Sequence, residues 1–141
     1  MSKTYDDLMA AFAGESQANR KYLAFAKKAD DEGFAQVAKL FRAAAAAETV
    51  HALTHFKTAG EIKSTEENLK TAIAGEHYEN VEMYPAFIKD AEEEGDSKAL
   101  RSFTWANEVE KVHEMLYKDA LASLGKPGET YDYYICPFCG Y

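Results

Sequence analysis

The chain has 141 residues, 47% of them hydrophobic and 28% charged, with only three prolines and eight glycines, which is one domain's worth of globular sequence and excludes collagen-like and low-complexity architectures. Sixteen basic residues against 24 acidic ones give a net charge of −8 with no basic run to follow a phosphate backbone, so nucleic acid is not an expected partner. The apolar run from Leu8 to Gly14 lacks a basic flank and is too short to span a bilayer, and a cytoplasmic protein without membrane insertion is expected.

Helical periodicity predicts a first helix from Thr4, its expected N-cap, to Asp31, with Gly33 just beyond it. A second runs from Phe34 to Thr58 and stops at Gly60. The third begins at Thr65, where Ser64 and Glu67 form a candidate capping box, and continues to Glu93 before Gly95. The fourth runs from Ser97 to Leu124 and ends at Gly125, with Pro127 behind it. Four long helices with short connections predict an all-α antiparallel four-helix bundle over residues 1–126. A tail, residues 127–141, follows. In it Tyr131, Tyr133, Tyr134 and Ile135 lead in extended form into Cys136-Pro137-Phe138-Cys139, the chain's two cysteines in a spacing that suits a metal or redox pair.

The two halves of the bundle repeat each other. Ala13-Gly14-Glu15 recurs as Ala74-Gly75-Glu76, Tyr22-Leu23-Ala24-Phe25 as Tyr84-Pro85-Ala86-Phe87, and Glu48-x-x-His51 as Glu110-x-x-His113. The bundle is a duplicated helical hairpin. One offset breaks the match, because Glu15 to Tyr22 is 7 residues and Glu76 to Tyr84 is 8. An extra residue inside a helix is absorbed as a π-bulge, and Pro85, which cannot donate to the carbonyl of Val81, marks its place beside Glu76 and Glu79.

The apolar stripes are interrupted at repeat-related positions. Glu15 falls on the stripe of Leu8, Phe12, Tyr22, Phe25 or Ala26, and Ala29, and the stripe Val37, Phe41, Ala44 extends to Glu48, His51 and His55. Leu69, Ile73, Met83 and Phe87 bracket Glu76, with Glu79 one turn on, while Leu100, Phe103, Tyr117 and Leu121 bracket Glu110 and His113. Burying ionised carboxylates costs roughly several kcal/mol each unless they are paired or metal-bound, and no inward Lys or Arg supplies the counter-charge. One Glu from each of two helices, plus Glu-x-x-His from each of the other two, is the ligand pattern of ferritin-like di-iron and di-manganese carboxylate proteins. Glu79, whose counterpart in the first half is Ala18, is a seventh candidate ligand and makes the site asymmetric. Tyr22 and Tyr84 stand within one or two turns of the ligand glutamates, near enough to hydrogen-bond a carboxylate. His55 and His77 lack a partner at ligand spacing and are read as core or surface histidines.

Together, Ala13-Gly14-Glu15-Ser16, Glu48-x-x-His51-Ala52, Gly75-Glu76-x-x-Glu79, Met83-Tyr84-Pro85, Glu110-x-x-His113 and Cys136-Pro137-x-Cys139-Gly140-Tyr141 resemble the rubrerythrin family of non-haem di-iron peroxidases, over the whole chain. The resemblance implies two iron ions, reduction of hydrogen peroxide to water, and electrons from an external donor such as a rubredoxin or its reductase. It implies Glu48 and Glu110 as bridging ligands, Glu15 as terminal on one iron, and Glu76 with His113 completing the other. It also implies that one iron exchanges Glu79 in the ferric state for His51 in the ferrous state, in keeping with the preference of the harder ion for carboxylate. Ferroxidase or iron-storage and buffering activity is the alternative, since ferritin-like bundles share the core motif.

The resemblance departs at the tail. A rubredoxin-type iron needs four thiolates from two C-P-x-C-G knuckles, and Cys136 with Cys139 supplies one. Truncation from a longer protein is the favoured explanation; a site shared between two chains, or an idle tail, are the others.

Assembly follows from a length argument. In ferritin-like folds the third helix runs parallel to the second, so the connection must return along the bundle by about 26 Å to bring Glu76 level with the metal. Residues 59–64 with their flanking links extend at most about 25 Å. Exchange of hairpins between two chains removes the strain. A homodimer is expected, each site taking Glu15, Glu48 and His51 from one chain and Glu76, Glu79, Glu110 and His113 from its partner.

Overall fold

The structure, a computed structural model, describes residues 2–141, and every regular element among them is helical. In chain order these are α1 (Lys3–Asp31), α2 (Ala35–Thr58), α3 (Thr65–Tyr78), a π-helical turn (Glu79–Met83), α4 (Tyr84–Glu94) and α5 (Ser97–Ser123). None of the described helices is long and apolar enough to cross a membrane. The chain divides into two compact units after Lys63.

The first unit is the α1/α2 hairpin. Its cap lies two residues before the predicted one: Ser2 is extended, and its Oγ accepts from the Tyr5 amide at 3.2 Å. Thr4 is already helical, so its side chain no longer faces the free amides of the first turn. The helices meet through small side chains, with Ala26, Ala29, Ala38 and Ala45 all buried. Asn19 spans that seam, donating to the Ala45 carbonyl at 2.7 Å and to Thr49 Oγ1 at 2.8 Å. Larger rings also meet across the two helices, Phe12 stacking on Phe56 at 4.6 Å. Phe25 and Val37 are exposed, as are Leu40 and Leu53.

In the second unit α5 packs against α3 and α4. The capping box at α3 forms as the sequence predicts, with Ser64 Oγ accepting from the Glu67 amide and Glu67 accepting from the Ser64 amide. Such a cap is worth about 1 kcal/mol. The predicted third helix runs to Glu94 with the expected distortion inside it, residues 79–83 forming the π turn and Pro85 opening α4. The Tyr84 amide there reaches back to the Glu79 carbonyl, five residues away. Gly95, at φ +71°, closes α4 in the left-handed conformation that glycine adopts without steric cost.

The duplication is visible in three dimensions. Tyr22, Phe25 and Phe41 form an aromatic trio in the first unit, with centroids 5.6–6.4 Å apart, and Tyr84, Phe87 and Phe103 repeat it in the second at 5.5–6.4 Å. The trio recurs despite the extra residue because the π turn absorbs it before Tyr84.

Residues 124–141 carry no helix or strand. At the knuckle the Gly140 amide donates to the Cys136 carbonyl at 2.9 Å and the Cys136 amide to the Tyr141 carbonyl at 2.6 Å. Both thiols are free and half-buried.

Candidate metal centre

In the first unit, Glu15 from α1 and Glu48 and His51 from α2 each offer one ligand atom, all within 4.8 Å of one another. The three-residue spacing places Glu48 and His51 on one face of α2, with His51 Nδ1 2.8 Å from Glu48 Oε2 and 3.9 Å from Glu15 Oε2. The carboxyls of Glu15 and Glu48 share a hydrogen bond. It raises the Glu15 carboxyl above the ordinary carboxylate range and lowers that of Glu48. His55, half-buried one turn further on, opposes the rise at Glu15.

The second unit repeats the group with Glu76 from α3 and Glu110 and His113 from α5, again within 4.8 Å. His113 Nδ1 lies 2.7 Å from Glu110 Oε2 and 3.5 Å from Glu76 Oε2. Burial, then the hydrogen bond to Glu110, pushes Glu76 up to about 7. Its Oε2 is buried and has no hydrogen-bond partner. A buried carboxylate oxygen without a donor costs roughly 1–3 kcal/mol or more, and a cation at that point removes the cost. Two carboxylates and an imidazole, converging on one point in each unit, form a donor set that suits ferrous and ferric iron.

Glu79 lies on the π turn outside the 4.8 Å group. Its carboxyl is raised by burial and by the charge of Glu110, which puts it electrostatically within the same cluster. Tyr84 is raised by burial and by Glu110, Glu79 and Glu76, so its hydroxyl stays protonated among three carboxylates. Tyr22 meets Phe25 and Phe41 through its ring. Cys136 is held below the usual thiol range by backbone hydrogen bonds from Cys139 and Phe138.

Glu76, raised to about 7, must give up any proton it carries when a cation enters. Iron uptake is therefore expected to release protons and to weaken as pH falls through about 7, the raised value of Glu76. Titration of ferrous iron into weakly buffered anaerobic protein at pH 6 and pH 8 measures both: less proton release and tighter binding at pH 8.

One cluster is not legible in the spacing. His77, expected to be a core or surface histidine, is exposed and has its Nδ1 3.0 Å from Oε1 of Glu114, a buried residue on α5. Glu114 also accepts from Lys118 at 2.6 Å and from Asn80 Nδ2 at 3.3 Å, and these donors, Lys118 first, hold its carboxyl down at about 2. The signal was in the repeat, since Glu114 stands where the first half has the buried Ala52.

Comparison with known proteins places this geometry. The rubrerythrin family profile matches residues 6–121. Nigerythrin of Nitratidesulfovibrio vulgaris is 39% identical over 155 residues, covering 100% of this chain and 76% of that protein. The rubrerythrin of Porphyromonas gingivalis is 39% identical over 158 residues, covering 99% and 78%. Among solved structures, nigerythrin in its fully reduced, all-ferrous state matches with a TM-score of 0.54 at 39% identity, covering 100% of this chain and 76% of that one. The all-α, ferritin-like class expected from the sequence is that of these relatives, and the two carboxylate and histidine groups fit a di-iron centre. By the extent of the profile match and the identity to full-length relatives, the chain belongs to the rubrerythrin family.

Proposed function

We propose that the chain is a cytoplasmic di-iron peroxidase that protects against oxidative stress, reducing hydrogen peroxide to water with electrons from an external rubredoxin or its reductase. Two Glu/Glu/His groups at repeat-related positions, with a further carboxylate on a π turn beside only one of them, carry the reading. Iron bound there supplies the two electrons that, with two protons, convert one hydrogen peroxide to two waters.

In this reading residues 1–126 are the metal-binding domain and residues 127–141 a separate tail. Glu15, Glu48, Glu76, Glu110 and His113 would hold the two ions, Glu48 and Glu110 as ligands common to both, Glu15 on one, and Glu76 with His113 on the other. Glu79 and His51 are alternative ligands of one ion, and Tyr84 and Tyr22 are the hydroxyl donors around it. With iron bound, the Glu79 carboxylate would suit the harder ferric ion and the neutral His51 imidazole the ferrous one. Crystals of iron-loaded protein in oxidised and reduced forms should then show one ion shifted toward His51 on reduction, and the ion held by Glu76 and His113 unmoved. Identical positions in both states would remove the exchange.

The direct test is anaerobic stopped-flow mixing of reduced, iron-loaded protein. Oxidation by hydrogen peroxide faster than by dioxygen supports the peroxidase; the reverse order supports ferroxidase and storage chemistry, which has no use for a carboxylate and an imidazole competing for one ion.

The tail lies outside the peroxide reaction in this reading, because Cys136 and Cys139 are two of the four thiolates a rubredoxin-type iron requires. Changing both to serine is expected to leave the peroxide oxidation rate unchanged in the same experiment. A large loss would show that the thiols take part, through a four-thiolate site completed by another chain.

A further inference from the structure

The two units share an aromatic trio and a Glu/Glu/His group, and several of their differences cluster around one residue, Glu114. Asn19 and Asn80 are repeat partners, each four residues after a ligand glutamate. In the first unit Asn19 donates to Ala45 O and Thr49 Oγ1 on α2. In the second, Asn80 lies in the π turn and donates instead to Glu114 Oε2. Ser16 becomes His77, whose Nδ1 meets Glu114 Oε1, and Ala52 becomes Glu114 itself. Ala18 becomes Glu79, the residue between the two that Glu114 holds.

A π turn widens the helix and gives up regular i→i−4 pairing, so it persists only where tertiary contacts hold it. Glu114 supplies such contacts on both sides of Glu79: His77 in the last turn of α3 and Asn80 within the π turn. Glu114 is 7% exposed, and Lys118, one turn along α5, compensates its charge at 2.6 Å. The first unit has no π turn, no carboxylate at the Glu79 position and no acid at the Glu114 position.

We infer that Glu114 is a positioning residue, a buried carboxylate clamp that fixes residues 77 and 80 and so presents the Glu79 carboxylate from the π turn. The inference rests on the metal-centre reading for the role of Glu79, and not for the clamp itself. It sets a division of labour in the second unit, in which Glu76, Glu110 and His113 bind the ion and Glu114 touches none but governs the exchangeable ligand.

The test uses full-length protein carrying Glu114→Ala, which restores the residue the first unit has at this position, and Glu114→Gln, which keeps the shape and cannot accept all three donors. In metal-free protein, backbone hydrogen exchange at residues 79–84 should rise about tenfold or more in both variants, with α1 and α2 unchanged. Exchange that stays at the wild-type level, or rises equally throughout the second unit, overturns the clamp. In iron-loaded protein the variants should keep the wild-type iron content, while the Mössbauer spectrum of the oxidised form comes to match that of Glu79→Ala. A wild-type spectrum overturns the link to Glu79. Wild-type protein that holds no iron at all would defeat the metal-centre reading and leave the exchange result to decide the clamp.

Discussion

Glu110→Ala is expected to empty the centre, taking iron content from about two ions per site to near zero, whereas Glu15→Ala should leave about one. The difference follows from position. In the proposed arrangement Glu110 serves both ions, so its removal takes a ligand from each and also leaves Glu76 and His113 without the group they converge on. Glu15 serves one ion, and its loss leaves the second unit's Glu76, Glu110 and His113 in place. Glu15 and Glu110 are both only half-buried, so neither variant needs to unfold. Iron analysis after anaerobic reconstitution, with circular dichroism to confirm the helices, reads the result. Equal losses in the two variants would mean that Glu110 is not shared.

Co-expressing two broken chains is expected to restore iron binding that neither has alone. One chain carries Glu15→Ala and Glu48→Ala, the other Glu76→Ala and Glu110→Ala. If hairpins are exchanged in a homodimer, the mixed dimer has one site with both halves intact and one with both halves broken. Random pairing then restores about one quarter of the wild-type iron content. If each site is built from a single chain, every site keeps one broken half and nothing is restored. Two observations favour exchange. The structure ends α2 at Thr58 and starts α3 at Thr65, which leaves only residues 59–64 for a return of about 26 Å. Each unit also leaves large apolar side chains exposed, Phe25, Val37, Leu40 and Leu53 in the first and Phe87 and Tyr117 in the second. Burying a side chain of this kind is worth about 1.5–3 kcal/mol, so a second copy's hairpin is a favourable cover for each face. Iron analysis of the purified mixed dimer, isolated with two different tags, sharpens the readout to about half of wild type.

The sequence by itself determined the helices, the duplication and the two Glu/Glu/His groups, because each of these is written in local or periodic terms. Ser64 with Glu67, Gly95, and the spacing of Glu48 and His51 act within one or two turns of helix, where the geometry of 3.6 residues per turn leaves no choice. The π turn was legible for the same reason: one residue too many between Glu76 and Tyr84, with Pro85 unable to donate. The small misplacement of the first cap arose because Ser2 and Thr4 are both capable residues, and only the path of the backbone selects between them. The tertiary structure decided which side chains fill the seams. The periodic stripe left Phe25 and Ala26 as alternatives and included Val37, and packing of α1 on α2 buries Ala26 while Phe25 and Val37 stay exposed. It also decided that Glu114 on α5 belongs with His77 and Asn80, partners 37 and 34 residues away, a pairing that no periodicity encodes. Side chains that meet across a helix interface are fixed by the rotation and offset of two helices, and those quantities exist only once the chain has packed.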